Sequence, residues 1–140
     1  MHLPDINFWL ALAFASHEHH RSASVWFEGV GMGEAAFCRA TQTGFLRLST
    51  TPKVLSETPL TMIQAWKAYD ELFADPRVVF SDEPDGVEDH WREFTRRRTF
   101  SPKVWNDAFL AAFAKAAEFE IVTFDKGFSQ FKGVHSVILS

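Results

Sequence analysis

Short apolar runs occur at five places along the chain, and each is bounded by polar or glycine-containing sequence. Runs of this length between turn signals are typical of buried strands, because a strand needs only a few residues to cross a sheet. The predicted strands are Leu3–Ile6, Glu34–Cys38, Val78–Phe80, Ile121–Phe124 and Ser136–Leu139.

The longer segments between these runs have the spacing or the composition of helices, and the clearest is the amphipathic stretch that ends at Phe73. The predicted helices are Asn7–Ala15, His19–Val30, Thr41–Leu48, Pro59–Phe73, Asp85–Arg98 and Val104–Phe119. Strands that alternate with helices predict an α/β fold with a mainly parallel central sheet flanked by helices. The 140 residues suit one domain, and no segment has the composition of a linker.

Composition and charge limit the classes of function. The apolar fraction of 46% and fifteen Phe residues are enough for a packed core. The net charge of −4 excludes a broad basic surface for nucleic acid, so nucleic-acid binding would need a local patch or a bound cation. The single cysteine, Cys38, cannot form an internal disulfide and is interpreted as a small buried apolar residue. Without a signal peptide or a membrane-spanning run, we expect a soluble cytoplasmic protein with no membrane partner.

Three aspartates follow or begin elements that such a fold can bring together. Asp5 lies near the end of the first predicted strand, Asp125 directly follows the fourth, and Asp107 lies in the first turn of the last helix. In open parallel sheets, ligands bind beyond the carboxyl ends of the strands. Three carboxylates in one cleft repel each other, and a hard divalent cation such as Mg²⁺ or Mn²⁺ offsets that repulsion.

Each aspartate also has a purely structural interpretation. Asp5 after Pro4 has the position of a helix N-cap, Asp107 suits the positive end of a helix dipole, and Asp125 before Lys126 suits a turn. The spacing of the three residues leaves both interpretations open.

The same residues carry a resemblance to a known family. The opening segment, residues 3–12, resembles the start of the PIN domain of VapC toxins, which belong to bacterial toxin–antitoxin pairs. Residues 19–27 are similar to its second helix, residues 41–48 to the segment of its second acidic position, and residues 106–112 and 122–128 to its third and fourth acidic motifs. The segments occur in family order across almost the whole chain.

This resemblance implies a single PIN-like domain over residues 1–140 with the activity of a Mg²⁺- or Mn²⁺-dependent endoribonuclease. It also implies an RNA substrate, a cognate VapB-type antitoxin and a homodimer. By position, Asp5, Asp107 and Asp125 would be the catalytic carboxylates that hold the metal. Thr123 would lie at the edge of the site and orient Asp125 or a metal-bound water, and Asn7 would support the site.

One position departs from the family pattern, because Gln42 occurs where the family usually has a second Glu. A glutamine oxygen can ligate a metal or position water, but it adds no negative charge. We therefore expect weaker metal binding or one ion instead of two, and an exposed helix residue is the alternative interpretation. Glu34, Asp82 and Glu83 are candidates for the missing charge, and the sequence does not choose among them.

Arginines are the candidate RNA contacts, since the guanidinium fork matches phosphate oxygens. Arg39 and Arg47 flank Gln42, and Arg96, Arg97 and Arg98 form the one dense basic run. The run has a second interpretation as the solvated C-terminal end of a helix.

Two other classes of function are compatible with this pattern. One is a catalytically weak or inactive PIN-fold module that binds RNA or an antitoxin, as the loss of charge at Gln42 would suggest. The other is a phospho-acceptor signalling domain, but the paired acidic residues expected near its first strand are absent, because only Asn7 accompanies Asp5.

Overall fold

A computed structural model describes residues 1–55 and 58–140 of the chain. Its strands are β1 (His2–Pro4), β2 (Ala35–Phe37), β3 (Val78–Phe80), β4 (Glu120–Thr123) and β5 (Ser136–Ile138). Its α-helices are α1 (Ile6–Ala13), α2 (His20–Glu28), α3 (Arg39–Ser49), α4 (Met62–Phe73), α5 (Val87–Phe94) and α6 (Val104–Ala117). A short 3₁₀ helix, Lys126–Gln130, follows β4.

The five strands form one fully parallel sheet in the order β3-β2-β1-β4-β5. The chain moves from β1 outward to β2 and β3, then returns to the other side of β1 for β4 and β5. The order of connection therefore reverses between β1 and β4, where Leu3 lies beside Ile121 and Pro4 beside Val122. Such a reversal opens a crevice beyond the strand ends.

Two apolar cores cover the two faces of the sheet, because successive strand residues point to opposite sides. Leu3, Ala36 and Ile121 pack on one side with residues of α5, α6 and the 3₁₀ helix. Phe37 and Val122 pack on the other side with residues of α1 to α4. The predicted α/β class and parallel sheet are confirmed.

Local sequence explains where the main helices begin and end. Asp5 caps α1 by accepting a hydrogen bond from the N–H of Phe8 at 2.9 Å. The first turn of α4 is closed by a reciprocal pair, in which Thr61 and Gln64 each bind the other's backbone N–H. Glu118 ends α6 in the left-handed region, with a φ of 59°.

Several predicted boundaries differ from the structure. β1 ends at Pro4, so Asp5 follows the strand instead of lying within it. The fifth helix ends at Phe94, four residues before the predicted end at Arg98. At this end the hydroxyl and the backbone N–H of Thr95 both donate to the Trp91 carbonyl, at 2.8 Å and 3.1 Å.

Two expectations about burial and membranes can be compared with the described residues. Cys38 is buried, with 1% of its surface exposed, as its apolar surroundings predicted. Over residues 1–55 and 58–140, no helix combines the length and the hydropathy needed to cross a bilayer.

Candidate functional site

A cleft of about 680 Å³ opens beyond the carboxyl ends of β1, β2 and β4. Asp5 enters it directly after β1, Asp125 two residues after β4, and Asp107 from the first turn of α6. The topological reversal between β1 and β4 brings the carboxylates of Asp5 and Asp125 to adjacent positions at the edge of the sheet. The three aspartates that sequence reasoning selected therefore line one cavity.

Asp5 is the most buried of the three carboxylates and is held from two directions. Its Oδ1 accepts from the Phe8 N–H at 2.9 Å, and its Oδ2 accepts from the Thr123 hydroxyl at 2.5 Å. Burial raises the pKa of Asp5 to about 6, and the nearby Asp107 and Asp125 charges add to this rise. The hydrogen bonds from Thr123 and Phe8 oppose it by stabilising the ionised form.

Thr123 links two sides of the cleft through one hydroxyl. It donates to Asp5 and accepts from the N–H of Asp125 at 2.9 Å, while its own side chain is fully buried. Its hydroxyl therefore orients Asp5 directly and fixes the backbone at Asp125. The Asp125 carboxylate in turn accepts from the Gly127 N–H at 2.8 Å, which starts the 3₁₀ helix.

Asp107 is half-buried at the start of α6. Burial raises the pKa of its carboxyl group, and the negative charge of Asp125 raises it further. The pKa values of two of the three carboxyl groups are therefore raised, and a cation placed among them would oppose that rise by stabilising the ionised forms.

The chemistry of this donor set fits a hard divalent cation. Glu83, Asn7 and Asn106 line the same cleft and add carboxylate and amide oxygens to the three aspartates. Within the described part of the chain, no three His, Cys, Asp or Glu side chains stand close enough to share one ion directly. Mg²⁺ usually binds through one or two carboxylates and keeps several water molecules, and this donor set fits such an ion.

The structure selects one of the three candidates for the additional charge. Glu83 lines the cleft, whereas Asp82 lines a smaller neighbouring cavity. Glu34 lies in a different turn, where its carboxylate accepts from the Gly31 N–H at 3.2 Å.

The prediction for Gln42 is wrong in its placement. Its side chain is buried, and its Oε1 accepts from Nη1 of Arg39 at 2.5 Å. It lines a groove between α3 and α4 and not the acidic cleft. The alternative of an exposed helix residue is also wrong.

The residues of α3 that do face the cleft were not selected from the sequence, apart from two arginines. Ala40, Thr43, Gly44 and Arg47 repeat at helical spacing along this face. The burial of Gln42 could have been predicted from the sequence. It lies three residues before the apolar Phe45, so the two side chains share one face of the helix.

The candidate RNA-contacting arginines separate into two groups. Arg39 and Arg47 line the cleft. Arg96, Arg97 and Arg98 are exposed in the loop after α5 and do not line it, so they do not end a helix as predicted.

Arg97 shows how this loop is held, since its guanidinium donates to Gln130 at 2.7 Å and its Nε to the Phe94 carbonyl at 3.2 Å. The first bond fastens the loop to the 3₁₀ helix, and the second fastens it to the end of α5.

Comparisons with known proteins agree with this architecture. The family model described as "PIN domain" matches residues 3–134. Ribonuclease VapC41 of Mycobacterium tuberculosis strain H37Rv is 46% identical over 145 residues, which cover 100% of this chain and 99% of that protein.

Two solved structures share the fold. The first is VapBC2 from Rickettsia felis bound to a DNA fragment from their promoter, with a TM-score of 0.69 and 12% identity over 99% of this chain and 98% of that chain. The second is VapC20 of Mycobacterium tuberculosis, a sarcin-ricin loop cleaving toxin, with a TM-score of 0.67 and 17% identity over 92% and 93%. The family model and the full-length similarity to VapC41 confirm the resemblance seen in the sequence, and the chain belongs to the PIN-domain family of VapC ribonucleases.

Proposed function

We propose that the chain is an endoribonuclease that requires Mg²⁺ or Mn²⁺, hydrolyses RNA phosphodiester bonds and acts as the toxin of a VapBC-type pair. The observation that carries the proposal is the convergence of Asp5, Asp107 and Asp125 in one cleft. The 46% identity to a full-length VapC ribonuclease supports the same chemistry. Hydrolysis of a phosphodiester suits such a cleft, because a divalent ion held by carboxylates polarises the phosphate and activates water.

The side chains of the cleft divide the remaining work. Asp5, Asp107 and Asp125 would hold the ion, in part through its water molecules, and Thr123 fixes the orientation of the Asp5 carboxylate. Arg39 binds phosphate at the rim of the cleft, because its guanidinium donates bidentately to phosphate oxygens. Single-stranded or looped RNA is the expected substrate, because paired stems hide their bases.

The direct test is cleavage of a mixture of total RNA and transfer RNA by the purified protein in Mg²⁺ or Mn²⁺. EDTA and an Asp107→Asn variant are the controls, because Asn keeps the size of the side chain and removes its charge. Discrete fragments that disappear in both controls are the expected result. Fragments that persist in EDTA or with the variant would contradict the assignment of the site.

We propose a VapB-type antitoxin and a second copy of the chain as protein partners, on the basis of family membership. Exposed apolar side chains on α4 offer contact surface, since Met62 is 79% and Trp66 50% exposed. Co-expression with the product of a short upstream reading frame should suppress cleavage, and sedimentation should give the mass of a dimer. A protein that sediments as a monomer, or one that stays active with the co-expressed product, would contradict this proposal.

An inactive binding module is not favoured by the geometry. That hypothesis depended on a missing charge at Gln42, and the Gln42 side chain faces α4 instead of the carboxylates. Glu83 supplies a further carboxylate at the cleft.

A further inference from the structure

Arg39 occupies an unusual position for a cation. It is the first residue of α3, where the positive end of the helix dipole disfavours a positive charge. Its guanidinium lies 4.8 Å from the centroid of the Phe80 ring and donates to Gln42 Oε1 at 2.5 Å. Two contacts therefore hold this side chain at the rim of the acidic cleft.

Gln42 is built into the protein so that its oxygen faces the arginine. Arg39 can only donate hydrogen bonds, so the amide must turn its oxygen toward the guanidinium and its NH₂ group away. The neighbouring Tyr69 is buried, which raises the pKa of its hydroxyl, and Arg39 and Gln42 both oppose that rise.

Arg39 forms no ion pair within the described chain, although it lines the same cleft as Asp5, Glu83 and Asp107. Among residues 1–55 and 58–140, the ion pairs involve other cations, and none includes Arg39. A guanidinium that is held in place at a cleft and is not engaged in an ion pair can donate to an anion from outside the protein.

We propose that Gln42 is a positioning residue that aims Arg39 at a backbone phosphate of the RNA and leaves its charge intact. The proposal rests on the proposed ribonuclease function, and it assigns to Gln42 a task that a glutamate would impair. A carboxylate at position 42 would form a charge-assisted pair with Arg39 and withdraw it from the phosphate. The interpretation of Gln42 as a substituted metal ligand implies the opposite, because a carboxylate would then improve the site.

The test measures binding of a fluorescent single-stranded RNA in EDTA, where the strand stays intact, over a range of salt concentrations. The variants are Gln42→Glu, Arg39→Gln and the combination of both. Arg92→Gln is the matched control, because Arg92 is an arginine on α5 that pairs with Glu88 on the surface.

Gln42→Glu and Arg39→Gln should each weaken RNA binding by about 5- to 10-fold, as expected for one charge-assisted contact. Each should also reduce the slope of log K against log salt by about 0.7, the value for one phosphate on a single strand. The double variant should bind no more weakly than Arg39→Gln, because both changes remove the same contact. The Arg92 control should retain the wild-type affinity.

A fourth variant separates charge from packing. Gln42→Met keeps the length of the side chain and leaves the guanidinium charge free, so its loss of affinity should be smaller than that of Gln42→Glu. Equal losses in both variants, accompanied by equal falls in melting temperature, would overturn the proposal in favour of a packing role.

Two further results distinguish this inference from the proposed function. If the wild type cleaves RNA in Mn²⁺ and Gln42→Glu keeps its RNA affinity and KM, or binds Mn²⁺ more tightly by calorimetry, the inference fails alone. If the wild type does not cleave RNA but the two variants still weaken binding as described, the inference holds and the ribonuclease proposal fails.

Discussion

Replacing Asp5 with Asn is expected to stabilise the fold while it disables the cleft. The Asp5 side chain is 9% exposed, and its pKa is raised from 3.8 to about 6, mainly by burial. Asn has nearly the same shape, and its oxygen can still accept from the Phe8 N–H at the start of α1. The substitution therefore removes a buried charge without removing the helix cap.

The size of the effect follows from the pKa values in the folded and unfolded chain. Because the folded state holds the proton of Asp5 more tightly, stability falls as pH rises from 3.8 to about 6. The difference between 3.8 and about 6 corresponds to about 3 kcal/mol above pH 6. The variant loses the hydrogen bond donated by Thr123, which lowers its stability by about 1 kcal/mol. The net gain for Asp5→Asn at pH 7.5 is therefore about 2 kcal/mol.

Urea unfolding followed by tryptophan fluorescence, in EDTA at pH 7.5 and pH 4.5, measures this gain. The variant should be more stable at pH 7.5, the advantage should be close to zero at pH 4.5, and cleavage of RNA in Mn²⁺ should be lost. Asp107→Asn is the matched control with a smaller gain, because Asp107 is only half-buried. A variant less stable than the wild type at pH 7.5, or a difference that does not change with pH, would refute the reasoning.

Three other outcomes are expected. Thr123→Val should lower the free energy of unfolding by about 2–4 kcal/mol, because the Asp125 N–H and the buried Asp5 carboxylate each lose a hydrogen bond. It should also raise the pKa of Asp5, and the acid limb of the pH–rate profile should therefore move to higher pH. Mn²⁺ should raise the melting temperature of the wild type, because a ligand at 100 times its Kd stabilises the folded state by about 2.7 kcal/mol. An unchanged melting temperature would count against the metal site. Gly44→Ala should cost about 1–3 kcal/mol in urea unfolding, because its Cβ would meet Ile6 with 2.7 Å to Cγ1. Gly29→Ala, where the nearest atom is 3.7 Å away, should change little, and equal losses at both glycines would contradict this explanation.

The order of elements and the acidic cleft could be predicted because both depend on local signals that agree with each other. A short apolar run predicts a buried strand, and in a parallel sheet the residue after such a strand must lie at the carboxyl edge. Asp5 and Asp125 follow this rule. Asp107 required the further assumption that α6 presents its first turn to the same edge, which the structure bears out.

The direction in which α3 presents its side chains could not be predicted from family position alone. A polar residue on an apolar helix stripe is ambiguous, since it either faces solvent or finds a buried partner. Gln42 has such a partner in Arg39, only three residues earlier, and Phe45 on the same stripe belongs to the core. The end of α5 was mispredicted for a different reason: Arg96, Arg97 and Arg98 are good helix formers, so propensity extended the predicted helix beyond Phe94.

The structural and the functional interpretations of the aspartates are not alternatives in this fold. Asp5 caps α1 through Oδ1 and Asp125 caps the 3₁₀ helix through Oδ1, so backbone N–H groups fix the orientation of both carboxylates. A carboxylate oxygen that accepts one hydrogen bond keeps lone pairs for a cation or its water shell. Capping therefore aligns the site before any ion binds, and the free energy lost by gathering like charges is offset in part by the caps that gather them.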